Sequence, residues 1–165
     1  MPALFALAAS VGLLAVLDTW LYVGPLSTTI LAGLVWISFI AWGCHFHSGG
    51  GIKGSTTAVV CMSFGAIVGM AAVMAASGPL ASMGALGTAI AVGVGAAVIC
   101  LASAVSILST IPASVYGFAS IAGPIILAGK SPTEAVVPVI ASIVIGAVFG
   151  YVSEVLANAL TKKAA

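Results

Sequence analysis

Long apolar stretches make up most of the chain, and short segments with glycine, proline or charged residues separate them. A helix that crosses the hydrocarbon core of a bilayer needs about 20 mostly apolar residues, whereas a strand of a membrane barrel needs only about 10. The pattern therefore predicts an all-α, polytopic membrane protein with six transmembrane helices. The predicted spans are Ala3–Tyr22, Ser27–Gly43, Thr56–Ala76, Met83–Val105, Ile111–Ala128 and Ala135–Leu156.

The breaks between the spans differ in length and in kind. Glycine–proline pairs at Gly24 and Gly78 end two of the apolar stretches, as these residues commonly do. The longest break, 44–55, is predicted to be a flexible loop whose last residue, Ser55, caps the next helix. No Lys or Arg precedes the first apolar stretch, so we expect the first helix to be retained rather than removed as a signal peptide.

Composition and charge narrow the class further. Hydrophobic residues make up 62% of the chain and charged residues only 4%. A soluble domain carries roughly a quarter charged residues, so the composition excludes a soluble domain and a nucleic-acid binder. With six spans, Lys53, Lys162 and Lys163 share the side of the N-terminus and Lys130 lies opposite. This excess of lysines predicts that both termini lie in the cytoplasm.

An internal repeat is one interpretation of the single transmembrane domain, 1–165. Its halves, 1–81 and 82–165, contain three predicted spans each, and a shift of 81 residues places Gly65 on Gly146. Because each half has an odd number of spans, the second half would enter the membrane from the opposite face, as a 3+3 inverted-topology repeat. The alternative is that there is no repeat, because identities barely exceed those expected for a chain rich in Ala, Gly and Val.

Small-residue faces predict close packing of helices. Gly65 and Gly69 lie four apart on the third span, and Gly146 and Gly150 do so on the sixth. Lipid offers no hydrophobic drive between helices, so close backbone approach supplies their attraction. The same faces could join copies of the chain, and a homo-oligomer is predicted. The alternative is a pore wall, where small residues leave room for solute.

The fifth span offers the best candidate for a solute path. Pro112, Tyr116, Ser120 and Gly123 share one of its faces. Pro124 follows within the membrane and frees the carbonyl of Ser120, which protein or water must then satisfy. This face would offer a phenol, a hydroxyl and a backbone acceptor to a polar solute. The alternative is a kinked packing helix whose serine bonds its own backbone.

The second span adds candidate lining residues and anchors. Trp36, Ser38 and Phe39 could line or narrow the same path. Trp42 and, at the outer boundary, Tyr22 resemble the aromatic anchors found at membrane interfaces.

Ionisable residues near the span ends are candidates for coupling or gating. Asp18 and Glu154 both lie near an interface, where hydration lowers the cost of a charge. His45 and His47 could sense pH, since a free imidazole titrates near pH 6.5. This histidine pair lacks further ligands in its pattern, so we expect no metal and no cofactor.

The middle of every predicted span lacks Asp, Glu, Lys, Arg and His. A coupled carrier usually needs an acidic relay there. The sequence therefore favours a channel or facilitator for a small neutral solute, such as an amide, urea, ammonia or a short alcohol. The alternatives are a proton-coupled secondary transporter and a non-transporting membrane assembly subunit. We expect no enzyme, because no motif pairs a nucleophile or metal cluster with a base.

Three short motifs resemble landmarks of a bacterial inner-membrane family known as domain of unknown function number 1097. They are Gly49-Gly50-Gly51-Ile52-Lys53-Gly54, Pro112-Ala113-Ser114-Val115-Tyr116-Gly117-Phe118-Ala119 and Gly146-Ala147-Val148-Phe149-Gly150-Tyr151. The resemblance covers nearly the whole chain in the same order. It implies a small polytopic inner-membrane protein and no particular substrate.

Overall fold

The computed structural model describes residues 1–161, and within them it contains six α-helices and no β-strand. The helices are α1 (Ala3–Val23), α2 (Val35–His47), α3 (Gly51–Ser77), α4 (Ala85–Ala102), α5 (Ile111–Ile126) and α6 (Pro132–Leu160). The all-α prediction is confirmed for this part of the chain. Lys162 and Lys163, which enter the orientation argument, lie outside the described residues.

The helices fall into two length classes. Four of those described, α1, α3, α4 and α6, are long and apolar enough to cross a membrane. The other two are shorter, with 13 residues in α2 and 16 in α5. At about 1.5 Å per residue, these span about 20 Å and about 24 Å, less than a hydrocarbon core of about 30 Å. Four predicted spans thus have the length of a full crossing, and the second helix of each half does not.

The second helix begins later than predicted, at Val35 rather than Ser27. The segment 24–34 instead forms successive turns, in which the Thr29 hydroxyl donates to a carbonyl three residues earlier at 2.8 Å. Short hydroxyl side chains offer the backbone such local partners and so compete with helix formation. Gly33, at φ +75°, then adopts a left-handed conformation that favours glycine. The apolar pattern alone does not reveal this competition.

The third helix begins earlier than predicted, at Gly51, so the break after α2 is only 48–50. Ser55 therefore lies inside α3, and its prediction as the N-cap is wrong. Consecutive glycines at 49, 50 and 51 all have positive φ, between +58° and +95°. Because glycine adopts this conformation freely, the run forms a tight turn rather than a long flexible loop.

Most helix contacts join one half of the chain to the other half. The third helices, α3 and α6, pack against each other at the centre. The second helix of each half packs mainly on the third helix of the other half, α2 on α6 and α5 on α3. The first helices, α1 and α4, also pack on α6 and α3 respectively. Neither half therefore forms a separate core.

Two glycines that are 81 positions apart allow close contacts between these helices. Gly65 of α3 lies against the backbone carbonyl of Ser114 in α5. Gly146 of α6 lies against the carbonyl of Ser38 in α2. A methyl group at either glycine would overlap that carbonyl, so only hydrogen allows the helices to approach this closely.

Gly69 and Gly150, four residues further along the same helices, also make contacts within the chain. Gly69 packs against Phe118 and Ile121 of α5, and Gly150 packs against the ring of His45. These faces are therefore not available for contacts between copies. The predicted homo-oligomer stays a prediction, but it would need another surface.

Large apolar side chains cover the outside of the bundle. Exposed examples occur on all six helices: Leu13, Phe39, Ile67, Leu101, Val115 and Val148. Such a surface is suited to lipid rather than to water.

Candidate functional sites

Asp18 of α1 lies five residues from the end of its helix, but it is fully buried by protein, so the predicted hydration of its carboxylate is wrong. Its Oδ2 accepts a hydrogen bond of 2.8 Å from the hydroxyl of Ser38 in α2. Its Oδ1 has no hydrogen-bond partner in the described part of the chain. The one contact between a basic and an acidic side chain found within residues 1–161 joins His45 to Glu154, so Asp18 has no cationic partner among these residues. Because a buried, uncompensated carboxylate is costly, this group is a strong functional candidate.

The phenol of Tyr22 lies between Asp18 and a further hydroxyl, that of Ser142. Tyr22 is 2% exposed, and its ring places the phenol beside Ser142, Ser38 and Asp18. The hydroxyls of Tyr22 and Ser142 are buried, and neither has a hydrogen-bond partner among residues 1–161. The prediction that Tyr22 is an interfacial anchor is therefore wrong, because this residue is part of a buried cluster. We call Asp18, Tyr22, Ser38 and Ser142 the Asp18 cluster.

The Asp18 cluster lies deep along the longest helix. Ser142 is the eleventh of the 29 residues of α6, about 15 Å from its start at about 1.5 Å per residue. Asp18 is the sixteenth of the 21 residues of α1, about 8 Å from the end of that helix.

A second polar cluster links the start of α3 to the end of α6. The ring of His45 is fully buried, with Nε2 3.1 Å from Glu154 Oε2 and Nδ1 2.9 Å from Ser55 Oγ. With its proton on Nε2, the imidazole donates to the carboxylate and accepts from the serine. The same carboxylate oxygen accepts a 2.6 Å bond from the N–H of Gly51, the first residue of α3.

Glycines make room for this second cluster. The His45 ring packs on Gly150, and Glu154 packs on Gly50, where a Cβ would approach its carboxylate to 2.8 Å. Glu154 faces a cavity of about 380 Å³, lined also by Phe46 and Asn158. Ser55 faces a separate groove of about 260 Å³ between α3 and α6. The three side chains thus form a hydrogen-bonded chain between two surface depressions.

The predicted path residues of α2 do not share one environment. Ser38 is buried and bonded to Asp18. Phe39 is 39% exposed and stacks on Trp42, with ring centroids 5.8 Å apart, so it faces outward. Trp36 covers Gly123 of α5, where a Cβ would lie 2.5 Å from the indole. Only Trp36 therefore reaches the predicted face of α5.

The predicted face of α5 is largely closed by protein. Ser120 is fully buried, and its hydroxyl has no side-chain or backbone partner among the described residues. Tyr116 is half-buried, and its ring meets the edge of His47 at a centroid distance of 6.1 Å. Pro124 lies inside α5, as predicted. Ser120 does not face lipid, which keeps it a candidate for the solute path.

Trp42 differs from its prediction as an interfacial anchor. It is 3% exposed, and its indole Nε1 donates a 3.0 Å bond to the hydroxyl of Ser153 in α6. The same face of α2 carries Ser38 and His45, which contact Gly146 and Gly150 of α6.

The two histidines lie in the last turn of α2 but face different surroundings. His45 points into the core, whereas His47 is exposed and lies against Tyr116. Within residues 1–161, no group of three or more His, Cys, Asp or Glu side chains could hold a metal ion. The expectation of no metal centre remains an expectation.

Sequence reasoning named Asp18, Ser38, His45 and Glu154 but did not pair them, and it did not name Ser142 or Ser55 as site residues. Ser142 and Ser55 carry no distinguishing signal, because buried serines are common in helix packing. The pairings of Tyr22 with Ser142 and of His45 with Glu154 span more than 100 positions. The tertiary contacts between α1, α2 and α6 are needed to find them.

The architecture is that of an all-helical protein with several apolar helices compatible with a lipid bilayer. The chain belongs to a family described as "Protein of unknown function (DUF1097)", whose model matches residues 8–158. The family indicated by the three sequence motifs is thereby confirmed. No curated protein and no solved structure matches the chain.

Proposed function

We propose that this protein is a secondary transporter of the bacterial inner membrane, which couples the movement of a small solute to a cation held at Asp18. The observation that carries the proposal is the complete burial of Asp18 without a cationic partner among the described residues. Ionisable groups inside a membrane bundle are rare and commonly mark ion pathways or relays. This observation favours coupled transport over the passive movement that the sequence pattern indicates.

The energetics of Asp18 support a role that involves a changing charge. One hydrogen bond from Ser38 does not replace the hydration that a carboxylate loses on burial. The group is therefore stable when a proton or another cation neutralises it, and costly when it is bare. A carrier can use this difference, because loading and release of the cation then favour different arrangements of the helices.

The helix contacts support a 3+3 inverted repeat. Exchanging α1 with α4, α2 with α5 and α3 with α6 leaves the pattern of contacting helices unchanged. Gly65 and Gly146, which a shift of 81 residues superposes, each pack on a serine carbonyl of the other half's second helix. Such repeats are common among secondary transporters, in which one unit rocks against the other.

The lengths of α2 and α5 support a solute site between the halves. These two helices are short, occupy corresponding positions, and each follows an irregular segment, 24–34 and 103–110. Paired interruptions of this kind commonly flank the substrate site of a transporter. On the predicted path, the contact of Trp36 with Gly123 joins α2 to α5. Ser120, whose hydroxyl has no partner among the described residues, lies nearby on α5.

Reconstituted liposomes test this proposal. We expect uptake of one member of a panel of small amides, amines, alcohols and acids to follow an imposed proton or sodium gradient. Asp18→Asn should remove the dependence on the gradient, because the amide cannot exchange a charge. Thr19→Val, an exposed change at the next position of α1, is the matched control and should retain it. Uptake that no gradient affects in the unmodified protein would contradict coupling.

Passive conduction of a small neutral solute is the second candidate, because Ser120 offers a buried hydroxyl without a partner among residues 1–161. It predicts flux down the solute's own gradient that Asp18→Asn leaves intact and Ser120→Ala reduces. No flux for any solute would instead favour a non-transporting assembly subunit.

A further inference from the structure

We propose that Asp18, Tyr22, Ser38 and Ser142 form a binding site for one sodium ion. The coupling role of this ion rests on the proposed function, whereas the site itself stands on the geometry alone. Three helices supply the four side-chain oxygens: α1 gives Asp18 and Tyr22, α2 gives Ser38, and α6 gives Ser142.

The donor atoms have the chemistry that a hard cation needs. All four are oxygens, from one carboxylate, one phenol and two aliphatic hydroxyls. Oxygen ligands suit hard cations, whereas soft and transition metals favour nitrogen and sulfur. Ser38 already donates its proton to Asp18 Oδ2, so the lone pairs of its oxygen remain available.

The unsatisfied atoms point to a ligand. Asp18 Oδ1 and the hydroxyls of Tyr22 and Ser142 are buried, and within residues 1–161 none of the three has a hydrogen-bond partner. Buried polar atoms normally have partners, and each exception needs an explanation. All three atoms belong to one cluster, and their side chains are at most 2% exposed. A single ion that contacts all three atoms would explain why they have no protein partner.

The charge of the cluster selects a monovalent cation. One carboxylate is present, and the contact of a basic with an acidic side chain among the described residues lies elsewhere, between His45 and Glu154. A sodium ion makes the cluster neutral, whereas a divalent ion leaves one positive charge and a water molecule leaves the negative charge uncompensated. A proton also neutralises the carboxylate, but one proton bridges only two oxygens. A monovalent metal ion, proposed here as sodium, satisfies both the charge and all the free oxygens.

The position of the site links the ion to the two halves of the chain. Asp18, Tyr22 and Ser38 belong to the first half and Ser142 to the second. A bound ion therefore joins α1 and α2 to α6, and we expect it to stabilise the arrangement seen here. Release of the ion would remove this link between α6 and the first half of the chain.

Thermal unfolding of the purified protein in detergent tests the site without any transport. Sodium chloride is titrated at constant ionic strength against choline chloride, with potassium, lithium and magnesium chlorides as comparison salts. Because an ion that binds only the folded state stabilises it by mass action, we expect Tm to rise by about 3–5 °C for each tenfold increase in sodium above Kd. Tryptophan fluorescence reports the transition.

Variants separate the site from a general salt effect. Asp18→Asn should abolish the sodium-dependent rise, and Tyr22→Phe and Ser142→Ala should each weaken apparent sodium binding about tenfold, as expected for loss of one ligand. Ser114→Ala removes another buried hydroxyl that has no partner in the described chain, on α5, and should leave the response unchanged. If Asp18→Asn fails to fold, Tyr22→Phe and Ser142→Ala decide the test together with binding of radioactive sodium.

Three results would overturn the site. They are a Tm that is independent of sodium, an equal response to all monovalent salts, and a sodium response that survives both Tyr22→Phe and Ser142→Ala. A Tm that rises only with acidification and that Asp18→Asn makes pH-independent would assign a proton instead. That result leaves the proposed transporter intact, whereas sodium binding without gradient-driven uptake would leave the site intact and overturn the transporter.

Discussion

His45 of α2 and Glu154 of α6 are joined by a hydrogen bond in which the imidazole Nε2 lies 3.1 Å from the carboxylate Oε2. The histidine is fully buried, and the side chain of the glutamate is 35% exposed. The same oxygen accepts the N–H of Gly51. One carboxylate thus joins the end of α6 both to the last turn of α2 and to the first turn of α3.

Removal of the Glu154 carboxylate should destabilise the fold. In Glu154→Ala the N–H of Gly51 and the Nε2 of His45 both lose their acceptor, and we expect a loss of about 1–3 kcal/mol in the free energy of unfolding, since a buried unpaired group costs about this much. Glu154→Gln keeps an amide oxygen as acceptor, so its loss should stay below about 1 kcal/mol. Thermal unfolding in detergent measures both.

Val155→Ala provides the matched control for this comparison. Val155 is 51% exposed on the next position of α6, and we expect a change within about 0.5 kcal/mol because surface substitutions rarely do more. Equal Tm values for Glu154→Ala and Val155→Ala would show that the hydrogen bonds of Glu154 do not stabilise the fold.

The two equivalent glycines should tolerate no side chain. In Gly65→Ala and Gly146→Ala the new methyl would overlap the carbonyl of Ser114 or Ser38, and we expect each to cost about 1–3 kcal/mol through overpacking. Gly12→Ala and Gly93→Ala are controls, because nothing lies within 4 Å of their added methyl groups. Folded yield and Tm in detergent give the readout, and four indistinguishable variants would contradict the close approach.

Much of this architecture could be predicted from the apolar pattern, and its failures have identifiable causes. The pattern finds all six helices because each apolar stretch is long, but it places the start of α2 eight residues too early, since Thr29 and its neighbours bond their own backbone. Ser55 is misplaced because three glycines in a row make a tight turn as readily as a flexible loop.

The candidate sites were harder to predict than the helices. Position along α1 indicates that Asp18 lies near a span end, but burial depends on the neighbouring helices. The cluster forms because α1 packs on α6 and places Tyr22 beside Ser142, which is 120 positions away. Hydrophobic periodicity contains no information on such a pairing.

Cysteine labelling should show that α2 and α5 cross the membrane despite their length. An inverted repeat with both termini in the cytoplasm places Lys53 on the cytoplasmic side, and Thr28 and Lys130 outside. In a Cys100→Ser background, which removes the one exposed cysteine of the described residues, we expect an impermeant maleimide to label Thr28→Cys and Lys130→Cys in intact spheroplasts. Lys53→Cys should react only after lysis.

Labelling of Lys53→Cys and Lys130→Cys from the same side would mean that the chain crosses an even number of times between them. The 3+3 repeat would then be wrong. The parent Cys100→Ser protein is the control, because Cys44 and Cys61 are buried and should stay unlabelled.

Ser55 should not react with a fluorophosphonate probe, although it contacts His45, which contacts Glu154 in turn. In a serine hydrolase the carboxylate bonds Nδ1 and the serine bonds Nε2, and here the two nitrogens are exchanged. The N–H of Ser55 lies inside α3, where it bonds the carbonyl four residues earlier, so it cannot stabilise an oxyanion. We therefore expect no adduct by mass spectrometry under conditions that fully modify an added serine hydrolase. An adduct at Ser55 that disappears in Ser55→Ala and in His45→Gln would assign an enzyme and contradict the transporter.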